Sequence, residues 1–245
     1  MWPQLLTATK LHPHHHTTLR AMPVTSIYPA RDSAEGNRTL RYVPDSRICQ
    51  TAFRLVQSSV PLPILNHSLR VFLFAKWLAE VEGSEWASDA NLDLMFVACI
   101  CHDLGASENY NGLQRFEVEG ADAASAHLHA HGVSPSDAHQ VWTAIALHTS
   151  AGIAECISSL ARLVRLGVLV DFRPATRAKL HADRYGAEIE EQIPRLDIEK
   201  VLGKAVVDQA LHHDHATKAP PASWPGILLS SHLEDPGWSG VNRAF

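Results

Sequence analysis

From Pro44 onward the apolar residues recur every three to four positions, the period of helices that turn one face to a core. Ser46 or Asp45 caps a first helix through Val56, which ends before Ser58-Ser59-Val60-Pro61. Leu65, Leu69, Phe72, Phe74, Leu78 and Val81 mark a second helix, stopped by Gly83. Ser88 or Asp89 opens a third, and there the pattern changes. Leu94 to Cys101 (LMFVACIC) is apolar without interruption, which predicts burial on all sides.

Ala106 to Phe116 is polar and aperiodic, a loop. An alanine-rich helix spans Glu117 to His131 before Gly132, and Ser134-Pro135 opens another that runs to about Leu147. Ser158 to Phe172 is helical and dense in apolar residues until Arg173-Pro174 ends it. Two further helices fit Ala175 to Glu191 and Leu196 to His212. With no βαβ alternation, no GxGxxG and no phosphate-binding GxxxxGK[ST], the expected fold is a single all-α domain, a helical bundle with flexible tails at both ends. Residues 1–44 read as a disordered N-terminal extension, 45–215 as the domain, and 216–245 as an irregular tail without a period.

Composition adds limits. The chain has 245 residues, 46% hydrophobic and 19% charged, and a net charge of −5, which suits one sizeable core and argues against nucleic-acid or acidic-membrane partners. No stretch is long and apolar enough to cross a bilayer. Cys49, Cys99, Cys101 and Cys156 form no CxxC pair and read as buried, reduced thiols, hence a cytoplasmic location. Residues 1–31 lack Asp and Glu and carry Lys10, Arg20 and Arg31, weakly like a transit peptide, with an upstream extension before Met22 as the plainer reading. Oligomeric state is open, since the tail with Trp224 and Trp238 can pack on the domain or on a second subunit.

Chemistry concentrates at four polar residues in apolar settings: His67 in the second helix, His102-Asp103 after the buried run, and Asp171 after Leu166–Val170. A buried carboxylate needs a partner, and a cation suits both it and an imidazole. Two imidazoles and two carboxylates make a mixed nitrogen and oxygen set that Zn2+, Fe2+ or Mn2+ accepts. Each residue alone has a blander reading: His67 as a hydrogen-bonded core residue, Asp171 as a cap or a partner of Arg162 or Arg165. The alternating His127, His129 and His131 read as a solvated helix face, with His127 and His131 sharing one side. Phe72, Phe74, Trp77 and Phe116 are available to wall a small site.

The order His67, His102-Asp103, Asp171 resembles the HD-domain superfamily of helical metal-dependent hydrolases. Stretches 66–75 (NHSLRVFLFA), 101–107 (CHDLGAS), 115–124 (RFEVEGADAA), 147–155 (LHTSAGIAE) and 161–172 (ARLVRLGVLVDF) are similar to its cyanamide hydratase-like branch. The resemblance implies one divalent ion on His67, His102, Asp103 and Asp171, with zinc foremost and Fe2+ or Mn2+ as alternatives. It also implies hydration of cyanamide or a related small nitrile to urea. His148 would then relay protons, Thr149 would assist by hydrogen bonding, and Glu117 would orient water. Without the resemblance, His148 is a cationic C-cap and Glu117 a first-turn acid that suits the helix dipole, as does Glu119.

Two other readings stand beside this one. A phosphohydrolase acting on a nucleotide or other phosphate ester needs cations beyond the metal, and near the motifs only Arg70, Lys76, Arg115 and Arg165 offer them. A non-catalytic module of the same fold that binds a metabolite is the third reading, disfavoured because all four ligand positions are present.

Overall fold

The computed structural model describes residues 39–235 and 244–245, all within one compact unit, Arg31–Phe245. Among these residues there are α-helices and short 3-10 turns and no strand. In chain order the helices are α1 Arg47–Ser59, α2 Leu62–Glu82, α3 Asp89–Cys101, α4 Phe116–Ala130, α5 Pro135–Leu147 and α6 Ala154–Ile157. They continue as α7 Ser159–Phe172, α8 Pro174–Lys179, α9 Asp183–Gln192, α10 Ile198–His212, α11 His215–Lys218 and α12 Trp224–Glu234.

Side-chain caps start these helices where the sequence offers them. The Ser46, Ser134 and Ser158 hydroxyls accept from the backbone N–H three residues on, at 3.2, 3.1 and 3.1 Å. Gly83 ends α2 in the left-handed region at φ 64°, a conformation that costs glycine little.

Helices α2 and α3 form the centre. Residues 95–101 of α3 are all buried, as their uninterrupted apolar run predicts, and α2 is buried on nearly every side from Ile64 to Phe72. Helix α2 packs against α3, α7 and α10, while α3 also meets α1 and α5. Where α2 and α7 cross, a Cβ on Gly167 would lie 2.7 Å from the Val71 carbonyl oxygen, so only glycine allows this approach.

The turn Leu104–Ala106 docks on α4 by the same device, more tightly. A Cβ on Gly105 would lie 2.0 Å from the Phe116 carbonyl oxygen and 2.7 Å from the Gly120 nitrogen. Both obstacles are backbone and cannot swing aside. Gly105→Ala is therefore expected to destabilise the fold by about 3 kcal/mol, the upper end for overpacking, read as a lowered urea midpoint at unchanged slope.

Several expectations need correction. The segment expected as one helix, 175–191, is two, α8 and α9, separated by a turn in which His181 adopts φ 56°. The tail expected to be irregular carries α11 and α12, and α12 packs on α10. Ser223 caps α12 with Pro225 in its first turn, so a proline that reads as a breaker here starts a helix. Of the expected N-terminal extension, 1–38 lie outside the described residues, as do Met22 and the transit-like stretch. From Thr39 the chain is already built in, with Val43 buried in the core.

Cys49, Cys99 and Cys101 are buried, but Cys156 is exposed, because it sits on the single surface turn α6. His127 and His131 are half-buried, not a fully solvated face. The His127 Nε2–H donates to the Ile48 carbonyl at 3.0 Å and His131 Nε2 lies 3.1 Å from the Thr51 hydroxyl, which ties α4 to α1. No helix among the described residues is long and apolar enough to cross a membrane.

Candidate metal centre

Helices α2, α3 and α5 deliver the polar side chains to one point. His67 comes from the first turns of α2, His102 and Asp103 from the end of α3, and His148 from the end of α5. All four are at most 2% exposed. The first three form a cluster that can hold a metal ion. His67 Nε2 and His102 Nε2 stand 3.2 Å apart, and Asp103 Oδ2 lies 3.5 Å from the first and 3.2 Å from the second. A tetrahedral ion with bonds of about 2.0–2.1 Å holds its donors about 3.3 Å apart, so the spacing fits a divalent cation.

Hydrogen bonding supports the same conclusion. The Nδ1–H of His102 donates to the Cys99 carbonyl at 2.7 Å, and that of His67 to Asp171 Oδ2 at 2.7 Å. In its neutral, metal-binding form each ring then carries its lone pair on Nε2, and the two Nε2 atoms are turned toward each other. Asp103 Oδ2, though close to both rings, is angled for a hydrogen bond with neither and is a buried oxygen without a partner. Two converging Nε2 atoms and an orphaned carboxylate oxygen form a donor set that a bound cation can take up.

Charge follows from the surroundings. Burial pushes the His67 imidazole below its ordinary pKa against the pull of Asp171, which suits a neutral ligand. For Asp103 burial opposes ionisation, but the neighbouring imidazoles of His102, His148 and His67 outweigh it and hold the carboxyl well below its usual range. For His102 burial works against the proton and Asp103 for it, and the balance lies above the ordinary value. A metal ion displaces that proton, so affinity falls as pH falls.

Asp171, expected in the same ligand set, is placed one step further out. It sits behind His67, with Oδ1 accepting from Arg70 Nε at 2.7 Å and Oδ2 from Arg70 Nη2 at 2.8 Å as well as from His67 Nδ1. Arg70, one helical turn after His67, is fully buried and spends its remaining donors on the Ile193 and Pro194 carbonyls. Asp171 therefore orients a ligand in this arrangement. Arg70 had its own signal in the sequence, because an arginine directly before the apolar run Val71–Ala75 is placed to be buried and then demands an acid.

His148 stands on the other side of Asp103. Its Nδ1–H donates to the Ile145 carbonyl at 2.6 Å, and its Nε2 faces Asp103 Oδ1 at 3.5 Å. Beside it, Glu117 is fully buried and accepts from Arg115 Nη2 at 2.5 Å and from the Thr149 hydroxyl at 2.6 Å. Glu117 thus faces Arg115 and Thr149, while Arg115, Thr149 and His148 line the cavity. Glu119 instead accepts from the Gln114 N–H, a structural role.

The cavity has a volume of about 400 Å3 with the cluster on its wall. Its aromatic lining is not the expected one. Phe72 packs on Phe96 in the core, and Phe74 and Trp77 meet Tyr185 in a separate apolar cluster. The aromatic walls are Phe172, Trp224 and Phe245, with Phe116 against His148 and Trp224. Trp224 and Phe245 lie in the tail expected to be irregular, and Trp238 is outside the described residues.

Comparison with known proteins agrees with the geometry. The model of the HD domain family matches residues 64–167, a segment that holds His67, His102, Asp103 and His148 and stops short of Asp171. The chain is 24% identical over 156 residues to the cyanamide hydratases DDI2 and DDI3 of Saccharomyces cerevisiae, covering 62% of this chain and 68% of each relative. An all-α bundle, a buried two-histidine, one-aspartate cluster that could hold a metal ion and a matching family segment agree with one another: residues 64–167 are similar to the HD domain family.

Proposed function

We propose that this protein adds water across the C≡N bond of cyanamide or a related nitrile, giving urea or the corresponding amide. The observation that carries the proposal is the placement of His148 Nε2 on the open side of Asp103, facing the cavity, beside a three-donor metal cluster. Similarity to two cyanamide hydratases supports the substrate class. His67, His102 and Asp103 would hold the ion, with zinc first by donor set and Asp171 orienting His67. A divalent ion there supplies Lewis acidity that makes water a stronger acid near neutral pH.

The chain's own groups account for the protons. Hydration forms one C–O bond, and both hydrogens of the water end on the former nitrile nitrogen. His148, with Nδ1–H fixed on Ile145, carries on Nε2, 3.5 Å from Asp103 Oδ1, the lone pair that would take a proton from water and return it to nitrogen. The Thr149 hydroxyl spends its hydrogen on Glu117 and one lone pair on Arg115 Nη2, so one lone pair is left to accept from the substrate's amino group. Arg115 fixes Glu117, and both keep Thr149 in that orientation.

His148→Ala is expected to keep about one equivalent of metal and to lose a factor of about 10²–10⁴ in kcat, the range for a general acid–base group. Metal analysis beside steady-state kinetics checks this. Loss of metal in that variant would make His148 a ligand, and full activity would remove it from the mechanism.

Phosphoester hydrolysis remains a second reading because Arg115, Arg165 and Arg173 all line the cavity. Two of them are engaged, Arg115 with Glu117 and Arg165 with Glu155, which weakens a phosphate clamp. Of the other basic residues near the motifs, Arg70 is consumed by Asp171, and Lys76 pairs with Glu80. A panel of nucleoside monophosphates, assayed for phosphate release with the metal-loaded protein, separates the two readings.

A further inference from the structure

Cyanamide has three non-hydrogen atoms and occupies roughly 90 Å3 at the space a water takes in the liquid, far less than the cavity. At about 400 Å3 the cavity is large enough for a ligand with a ring or more. Its walls form a closed circuit of aromatic contacts. His67 meets Phe172 at 4.4 Å between ring centres, Phe172 meets Phe245 at 4.8 Å, and Phe245 meets Trp224 at 5.3 Å. The circuit returns through Phe116 (5.8 Å) and His148 (5.6 Å) to His102 (4.9 Å) and His67 (5.0 Å). Of the three imidazoles, His67 and His102 belong to the metal cluster and His148 lies beside it, and the other rings offer flat apolar surface.

Charge in the cavity is one-sided. Arg115, Arg165 and Arg173 line it, and among the lining residues Asp103 is the one acidic side chain. Arg165 is 8% exposed and bonds the His148 carbonyl and Glu155 through Nη1 and Nε, leaving Nη2 without a bond among the described residues. Burial pushes the Arg165 guanidinium below its usual value, Glu155 opposes that, and the like charge of the nearby Arg173 adds to it. Arg173 is exposed and has no ion pair among the described residues. Of these two neighbouring guanidiniums only Arg165 has an acid, Glu155, which leaves a site for a further anion at Arg173.

We propose that the substrate is larger than cyanamide: a nitrile whose planar apolar body rests against Phe172, Trp224 and Phe245, and whose carboxylate pairs with Arg173 and Arg165. This rests on the nitrile-hydration reading of the metal centre. The nitrile carbon lies at the cluster, and the carboxylate end at the two arginines sets specificity.

The test uses the full-length, metal-loaded protein and two unreactive probes, benzoate and benzamide, titrated by calorimetry into the parent and Arg173→Gln. The parent is expected to bind benzoate roughly tenfold or more tightly than benzamide, and Arg173→Gln to lose that preference. Equal binding of the two probes by the parent overturns the proposal. A preference that survives Arg173→Gln does the same, because the carboxylate then sits elsewhere, on the metal for example.

Turnover of 4-cyanobenzoate and cyanamide, followed as amide and urea, keeps the two claims apart. Cyanamide hydration without a benzoate preference retains the hydration reading and removes this inference. An Arg173-dependent preference with neither nitrile consumed retains the anionic subsite and removes the hydration reading.

Discussion

Asp103→Ala is expected to lose bound metal and turnover together. Asp103 supplies the one carboxylate of the three-donor cluster, and its Oδ2 has no hydrogen-bond partner to lose when a cation takes it. Removing it leaves two imidazoles whose Nε2 atoms face each other at 3.2 Å with no anion to balance a divalent charge. Affinity should fall by more than about 100-fold, the upper end of what the loss of a mere outer partner costs. Metal content after equilibrium dialysis reads this directly. One equivalent retained would mean that other residues hold the ion and that Asp103 serves a different purpose. Because binding only to the folded state stabilises it, the parent should also lose thermal stability on chelation, whereas Asp103→Ala should not respond.

The second large effect belongs to a residue that touches neither metal nor substrate. Arg70→Leu removes the two hydrogen bonds that Arg70 donates to Asp171, in a pair that is fully buried on both sides. Arg195 Nη1, 3.3 Å from Asp171 Oδ1, gives partial compensation, and His67 keeps its bond. Breaking a buried pair by deleting one partner costs about 3–5 kcal/mol, and the remaining arginine places this case near 3 kcal/mol. The Ile193 and Pro194 carbonyls lose their donor in the same change. Denaturant unfolding checks the stability. Because Asp171 then orients His67 less firmly, metal affinity should drop by about 10–100-fold as well. A variant as stable and as metal-tight as the parent would contradict the role assigned to this clamp.

What could be read in the sequence follows from what is local. Gly83, Ser134-Pro135 and Arg173-Pro174 set helix ends through backbone geometry, and the structure ends or starts helices there. The run from Leu94 to Cys101 announces a helix buried on all sides, and the polar pair that follows must be inside. His67, His102 and Asp103 stand out as polar residues in apolar settings, and the resemblance to a family adds that they share one ion.

What escaped is long-range or directional. Asp171 lies at the expected place in the chain, but its carboxylate points to Arg70, 101 residues away, and that direction has no signature in the spacing. The aromatic walls were sought next to the motifs, whereas Phe172, Trp224 and Phe245 reach the cavity from α7, α12 and the far end of the chain. The helix α12 did leave a local signal. Ser223 followed by Trp224-Pro225 is a serine cap with proline in the first turn, hidden among prolines that elsewhere break helices.

The central claim is that the His67, His102, Asp103 centre hydrates a nitrile with metal held there. Its most direct test is urea release from cyanamide by purified protein of known metal content, run beside a chelated sample and a sample reloaded with zinc. The account predicts about one equivalent of metal, urea formed in proportion to it, loss on chelation and recovery on reloading. One equivalent of metal with no hydration of cyanamide, or of a carboxylated nitrile, would contradict it.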